Sequence, residues 1–253
     1  MLYWARNQSD GRSGDGKIFA MKKMKTLLLA LLLTAAAATG LAGDEAVIVR
    51  SSCSIVQSGD YYLVYSFAQV HNNSDSVLCL NEGTFDLIGG DQILSTREVA
   101  RLWPYFLSPG EDGYLFDIVP FEPGENGAVI PSVTGLAYDL DYMVVDAAHS
   151  NYVLEAEARI ETDPASGEMM VICEIENGTQ MNAFDPTVTF GLYTAGGDLL
   201  YADGETKQNV GIPAGGKALV RFFVDRAFVD QWKSYNAMPA SARVSASFRI
   251  DED

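Results

Sequence analysis

Histidine is nearly missing from this chain of 253 residues, which has only His71 and His149. Neither belongs to a His-Glu-x-x-His arrangement, so that zinc-hydrolase pattern is excluded. A Gly-x-Ser-x-Gly elbow and a glycine-rich phosphate loop ending in Lys are also absent, which removes the common nucleophile and nucleotide signatures. Positive charge is scarce, with 17 Lys and Arg against 34 Asp and Glu. Residues 1–42 hold six of those bases and two of those acids, leaving 11 basic against 32 acidic beyond them. A surface of that sign is repelled by phosphate backbones and anionic headgroups, which argues against nucleic-acid binding. Cysteine is limited to three. Cys53 and Cys79 pair only if their geometry allows it, whereas Cys173, inside the apolar run Met169 to Ile175, reads as a buried inert thiol. No cofactor is implied.

Long hydrophobic runs are lacking beyond the N-terminal region. The one apolar run there, Thr26 to Ala38, follows the basic Met21-Lys22-Lys23-Met24-Lys25 and precedes the small residues of Gly40-Leu41-Ala42. That order is a secretory signal, expected over residues 1–43, with Met1 to Ala20 an extension from a start set too early. The run is about 13 residues, short of the about 20 that span a bilayer, so no stable membrane insertion is expected. Leu41-Ala42-Gly43 has the form of a bacterial lipobox, yet Asp44 stands where the acceptor Cys belongs. A secreted bacterial protein without a lipid anchor is the expectation.

What the chain does have is a repeat at an offset of 105 residues. Val70-His71-Asn72-Asn73-Ser74 matches Ile175-Glu176-Asn177-Gly178-Thr179, and Thr84-Phe85-Asp86-Leu87 matches Thr189-Phe190-Gly191-Leu192. Leu107-Ser108-Pro109-Gly110 matches Ile212-Pro213-Ala214-Gly215. One constant offset across three blocks marks a duplicated module. Local patterns read as strand throughout: Tyr61 to Val70, Met169 to Ile175, Thr187 to Tyr193 and Lys217 to Val224 are rich in aromatic and β-branched residues and are separated by Gly, Pro and Asn turns. Such spacing indicates an all-β sandwich or barrel. The modules are expected at 44–147 and 148–253, joined near Asp146 to Asn151 by a link too short to act as a flexible tether.

The copies disagree in two places. Phe228, Trp232 and Tyr235 recur at helical spacing behind a possible cap, Asp225, whereas Pro120, Pro123, Gly124 and Gly127 argue against a helix at the matching place. Conversely, Arg101 to Leu107 is rich in aromatics while its counterpart around Lys207-Gln208-Asn209 is polar.

Phe190-Gly191-Leu192-Tyr193, then Gly197-Asp198 and Ile212-Pro213-Ala214-Gly215-Gly216, resembles the FxLYD domain family. Phe85-Asp86-Leu87-Ile88 is a weaker copy, and Thr194 departs from the Asp that the family commonly has. The resemblance implies two tandem immunoglobulin-like β-sandwiches, the second with one short helix, in a bacterial cell-envelope setting. It carries no catalytic residues.

Function is expected where the copies differ. Trp103, Tyr105 and Phe106 are the candidate binding residues, because exposed aromatics stack on sugar rings or anchor protein interfaces; packing between the modules is the alternative. The Phe228, Trp232, Tyr235 stripe is expected to cap its own sandwich. Asp139, Asp141 and Asp146 are candidate calcium ligands, since carboxylates suit that ion, although alternating Asp on a solvated strand explains them too. The sequons at Asn72 and Asn177 read as turn chemistry. The expectation is a non-catalytic binding or scaffolding protein engaging an envelope protein or glycan. A small acid-dependent glycoside hydrolase, whose paired carboxylates need no histidine, and a purely structural spacer are the alternatives.

Overall fold

The computed structural model describes residues 30–31, 46–58, 61–99, 102–121 and 133–250. Apart from Ala30–Leu31, the signal sequence and lipobox-like segment lie outside the described residues, as does the stretch Pro123 to Gly127. The first half is built from β1 (Ala30–Leu31), β2 (Ala46–Ser58), β3 (Tyr61–Asn72), β4 (Val77–Gly89), β5 (Gln92–Glu98), β6 (Leu102–Trp103), β7 (Phe106–Leu107), β8 (Asp112–Phe121) and β9 (Gly135–Val145). A 3₁₀ turn at Ala147–His149 leads to the second half. It holds β10 (Tyr152–Thr162), β11 (Met169–Glu176), β12 (Ala183–Phe184), β13 (Thr187–Tyr193), β14 (Leu199–Thr206), β15 (Gly211–Ile212), β16 (Lys217–Phe223), α1 (Arg226–Tyr235) and β17 (Ser241–Phe248). Among the described residues all strand pairs are antiparallel, and the fold is all-β with one α-helix.

In the first half, one sheet runs β1-β2-β3-β8-β6, and β4 is flanked by β9 on one edge and by β5 and β7 on the other. Side chains from the two sheets meet between them: Val64 and Val119 pack with Phe85 and Leu87. The second half forms β14-β13-β17-β10-β11-β16, in which β10 gives Tyr152–Leu154 to β17 and Glu155–Thr162 to β11.

The 105-residue offset survives at the level of register. Leu78 pairs with Leu107 and Ala183 with Ile212; Val70 pairs with Gly113 and Ile175 with Ala218. The turn asparagines repeat atom for atom. Asn72 Nδ2 donates to Ser76 O and Leu107 O, both at 2.9 Å, and its Oδ1 accepts from Ser74 N and Oγ. Asn177 Nδ2 donates to Met181 O at 2.8 Å and Ile212 O at 2.9 Å, and its Oδ1 accepts from Thr179 N and Oγ1. Both asparagines are fully buried, which bears out turn chemistry as the reason for the sequons.

The halves are not independent. Val64, Ser66, Ala68 and Val70 on β3 face the first core, while Tyr65, Phe67 and Gln69 face the second half. Burial on both faces is why Tyr61 to Val70 reads as a nearly unbroken apolar run. Phe67 and Tyr114 join the same apolar cluster as Phe190, Leu192, Phe222 and Phe228. One continuous core therefore crosses the boundary between the copies.

The helix forms where the periodicity places it. Asp225 accepts from Ala227 N at 2.8 Å, and Asn236 closes the other end in the left-handed region that asparagine tolerates. Its target differs from the expected one. Phe228 meets Tyr65 edge-on at 4.7 Å, and Gln231 Nε2 donates to Ile55 O at 3.4 Å. The helix closes the seam between the halves instead of capping only its own, because Tyr65 and Phe67 of β3 supply the apolar surface that Phe228 covers. Tyr235 points away and is exposed.

Candidate functional site

Short bonds from two asparagines position the aromatic segment Trp103 to Phe106. Asn72 holds Leu107 O, and Asn151, the residue leading into β10, donates from Nδ2 to Phe106 O at 2.6 Å. Asn151 also receives support from the loop it grips: its N donates to Ser108 Oγ and its Nδ2 reaches Glu111 Oε2 at 3.0 Å. Burial pushes the Glu111 carboxyl above the ordinary range, and its bonds from Ser108 and Asn151 oppose that shift. The link between the halves is thus tied to the segment that carries the candidate binding residues.

The three candidate binding residues have different surroundings. Trp103 is half-buried and its backbone pairs with Tyr114 at the seam. Phe106 is half-buried under the Arg249 guanidinium, 4.7 Å from its ring centroid, with His149 at 5.2 Å on the exposed 3₁₀ turn. Tyr105 is 58 % exposed. Its ring is set by an edge contact with Phe106 at 4.8 Å. Trp103 therefore lies at the junction between the halves and Tyr105 at the surface.

Tyr105 lies where two depressions meet along the seam. One, of about 770 Å³, is lined by Trp103, Tyr105, Glu205, Thr206, Gln208 and Val210 among others. The second, of about 710 Å³, shares Tyr105, Thr206 and Gln208 and adds Phe184, Asn182 and Ser247. Sequence reasoning missed Phe184, which is 63 % exposed. The signal was available: it occupies the place of Cys79 in the repeat, as an isolated aromatic before Asp185-Pro186. The polar segment around Gln208, noted only for its lack of aromatics, proves to be the opposite wall.

A polar network fixes the geometry of the seam beneath. Tyr114 and Tyr193 share a hydroxyl bond of 2.8 Å, and Tyr193 donates to Gln69 Oε1 at 3.0 Å. Gln69 Nε2 donates to Asp112 Oδ2 at 3.0 Å, and Asp112 Oδ1 lies 2.8 Å from His71 Nδ1. Arg243 stacks over Tyr193 at 4.8 Å. Gly191 is required here, since a Cβ would come within 2.8 Å of Tyr114 Cε1. The His71–Asp112 contact has a counterpart with the carboxylate on the other strand: Glu176 bonds Lys217 at 2.6 Å in the equivalent positions. Likewise Gln69, Tyr114 and Phe116, which face the second half, correspond to Glu174, Leu219 and Arg221, which are exposed.

The acidic candidates do not converge. Asp139 and Asp141 are exposed at alternate positions of β9, and Asp141 accepts from Asn81 Nδ2 at 2.9 Å. Asp146 caps the 3₁₀ turn through Ala148 N. Among the described residues, no group of three or more His, Cys, Asp or Glu is arranged to hold a metal ion. The groove carboxylates are each engaged, Glu205 by Lys207 and Asp185 by the Asn209 amide. Cys53, Cys79 and Cys173 are free and buried, and burial pushes Cys53 and Cys173 up to about 11. No helix among the described residues is long and apolar enough to cross a membrane. No protein-family model matches the chain, and no curated protein matches it.

Proposed function

We propose that this chain is a secreted, non-catalytic binding or scaffolding protein of the bacterial envelope, engaging its ligand at the groove around Tyr105. The fold reading that accompanies it is a pair of FxLYD-type immunoglobulin-like sandwiches over 44–147 and 148–253. Support for that reading comes from the two sheets that face each other in the first half and from the burial of Phe190, Leu192 and Tyr193, the residues that carry the resemblance.

One observation carries the binding role: an exposed ring stands in a lined depression at the seam, on a segment held by Asn72 and Asn151. Large apolar groups left in a lined depression mark interaction sites, whereas scattered ones do not. Retention of envelope components on immobilised protein tests the proposal. Tyr105→Ala should reduce specific retention severalfold while the melting temperature stays unchanged. If the variant retains every component that the wild type does, the groove is not the binding site. Substituting Trp103 is a poorer test because its half-buried ring belongs to the junction.

A further inference from the structure

We infer that the ligand of this groove is a neutral oligosaccharide of at least two sugar rings, an inference that rests on the binding reading above and specifies its chemistry.

The argument begins with where the rings come from. Position 105 corresponds to Val210 in the repeat, and Cys79 corresponds to Phe184. Each half therefore places one exposed aromatic at the same corner of its sandwich, Tyr105 from one strand segment and Phe184 from the neighbouring one. Both line the same depression. Phe184 lies over Gly211, where a Cβ would come within 3.3 Å of the ring. Two aromatic rings lining one depression suit a ligand that repeats a flat apolar face, as linked sugars do through their C–H surfaces.

The polar lining selects among such ligands. Asn182, Thr206, Gln208 and Ser247 carry neutral amides and hydroxyls, groups that both donate and accept, as sugar hydroxyls do. Asp185 already accepts from the Asn209 amide at 2.5 Å. The charged lining is balanced, Glu205 and Asp185 against Lys207 and Arg249, so the groove has no net charge with which to select a uronate or sulfate polymer. Two depressions side by side, sharing Tyr105, Thr206 and Gln208, make an elongated site that one ring would not fill.

Titration calorimetry of the full chain with neutral glucan, mannan and chitin fragments, from monosaccharide to longer oligomers, tests the inference. Affinity for at least one series should rise from the single ring to the longer fragments. Tyr105→Ala and Phe184→Ala should each weaken it about tenfold at unchanged melting temperature. Gln208→Ala gives a check that leaves the aromatics in place. Absence of binding to every neutral series, or variants that bind like wild type, overturns the inference. So does tighter binding of polygalacturonate. Retention of an envelope protein that Phe184→Ala abolishes, with no glycan bound, leaves the binding role standing and replaces the ligand class. If neither glycan nor envelope protein is retained, both proposals fall.

Discussion

Asn72 and Asn177 show how much one side chain can organise. Each joins the end of a central strand to a turn and to a second loop, with no exposure to water. Removing the amide leaves buried carbonyls unpaired, which costs about 1–3 kcal/mol. Asn177→Ala should therefore lower the melting temperature measurably in a thermal scan, and Asn72→Ala should also loosen Leu107 beside the groove. A second expectation concerns alkali. Burial raises the folded-state pKa of Tyr114, Tyr138, Tyr142, Tyr193 and Tyr201. Below the unfolded value of about 10 both states are protonated and stability is intact. Above it the unfolded chain loses protons that the folded state retains, so stability falls as pH rises. Of the 12 tyrosines, these five should contribute tyrosinate absorbance only together with loss of structure, whereas ionisation of all 12 in a still-folded protein would refute the assignment. The turn role of the asparagines was legible because a short polar triplet recurs in front of a strand. The fates of Cys53, Asp139 and Asp141 were not, because pairing and convergence depend on distances that spacing does not encode.

At the level of elements, α1 and β3 teach opposite lessons. The helix declared itself through a 3.6-residue period and an aspartate cap. Its docking partner did not: Gln231 reaches Ile55 across 176 positions of sequence. Likewise β3 read as an ordinary apolar strand, and nothing local separated the residues of its own core from those that meet the other half. Trp232 is buried among Phe228 and Tyr201. Trp232→Ala should cost about 3–5 kcal/mol, as truncating a buried aromatic usually does. Amide exchange should then accelerate in β2 and β3 as well as in the helix. Acceleration confined to the second half would mean that α1 serves that half alone. Phe184 escaped sequence reading because it sits in a two-residue strand, too short for any period to register.

For the whole molecule, the shared apolar cluster implies one cooperative unit. Tyr114 and Phe67 fill the second half's core, and Tyr193 is bonded to Gln69 of the first. Calorimetry should give a single transition whose van't Hoff and calorimetric enthalpies agree, while two resolved transitions would show that the seam is weak. The duplication itself was plain in the sequence; that its copies had fused was not, since a fixed offset reports ancestry and not contact. The exchanged carboxylates now bear on which face of each copy can mate. In the first half the sheet face around His71 and Tyr114 is a mating surface, but its duplicate presents Glu174, Glu176 and Arg221 to water. A third copy seated there would have to strip water from those charges. The divergence makes the second copy's face a poorer mating surface than the first copy's.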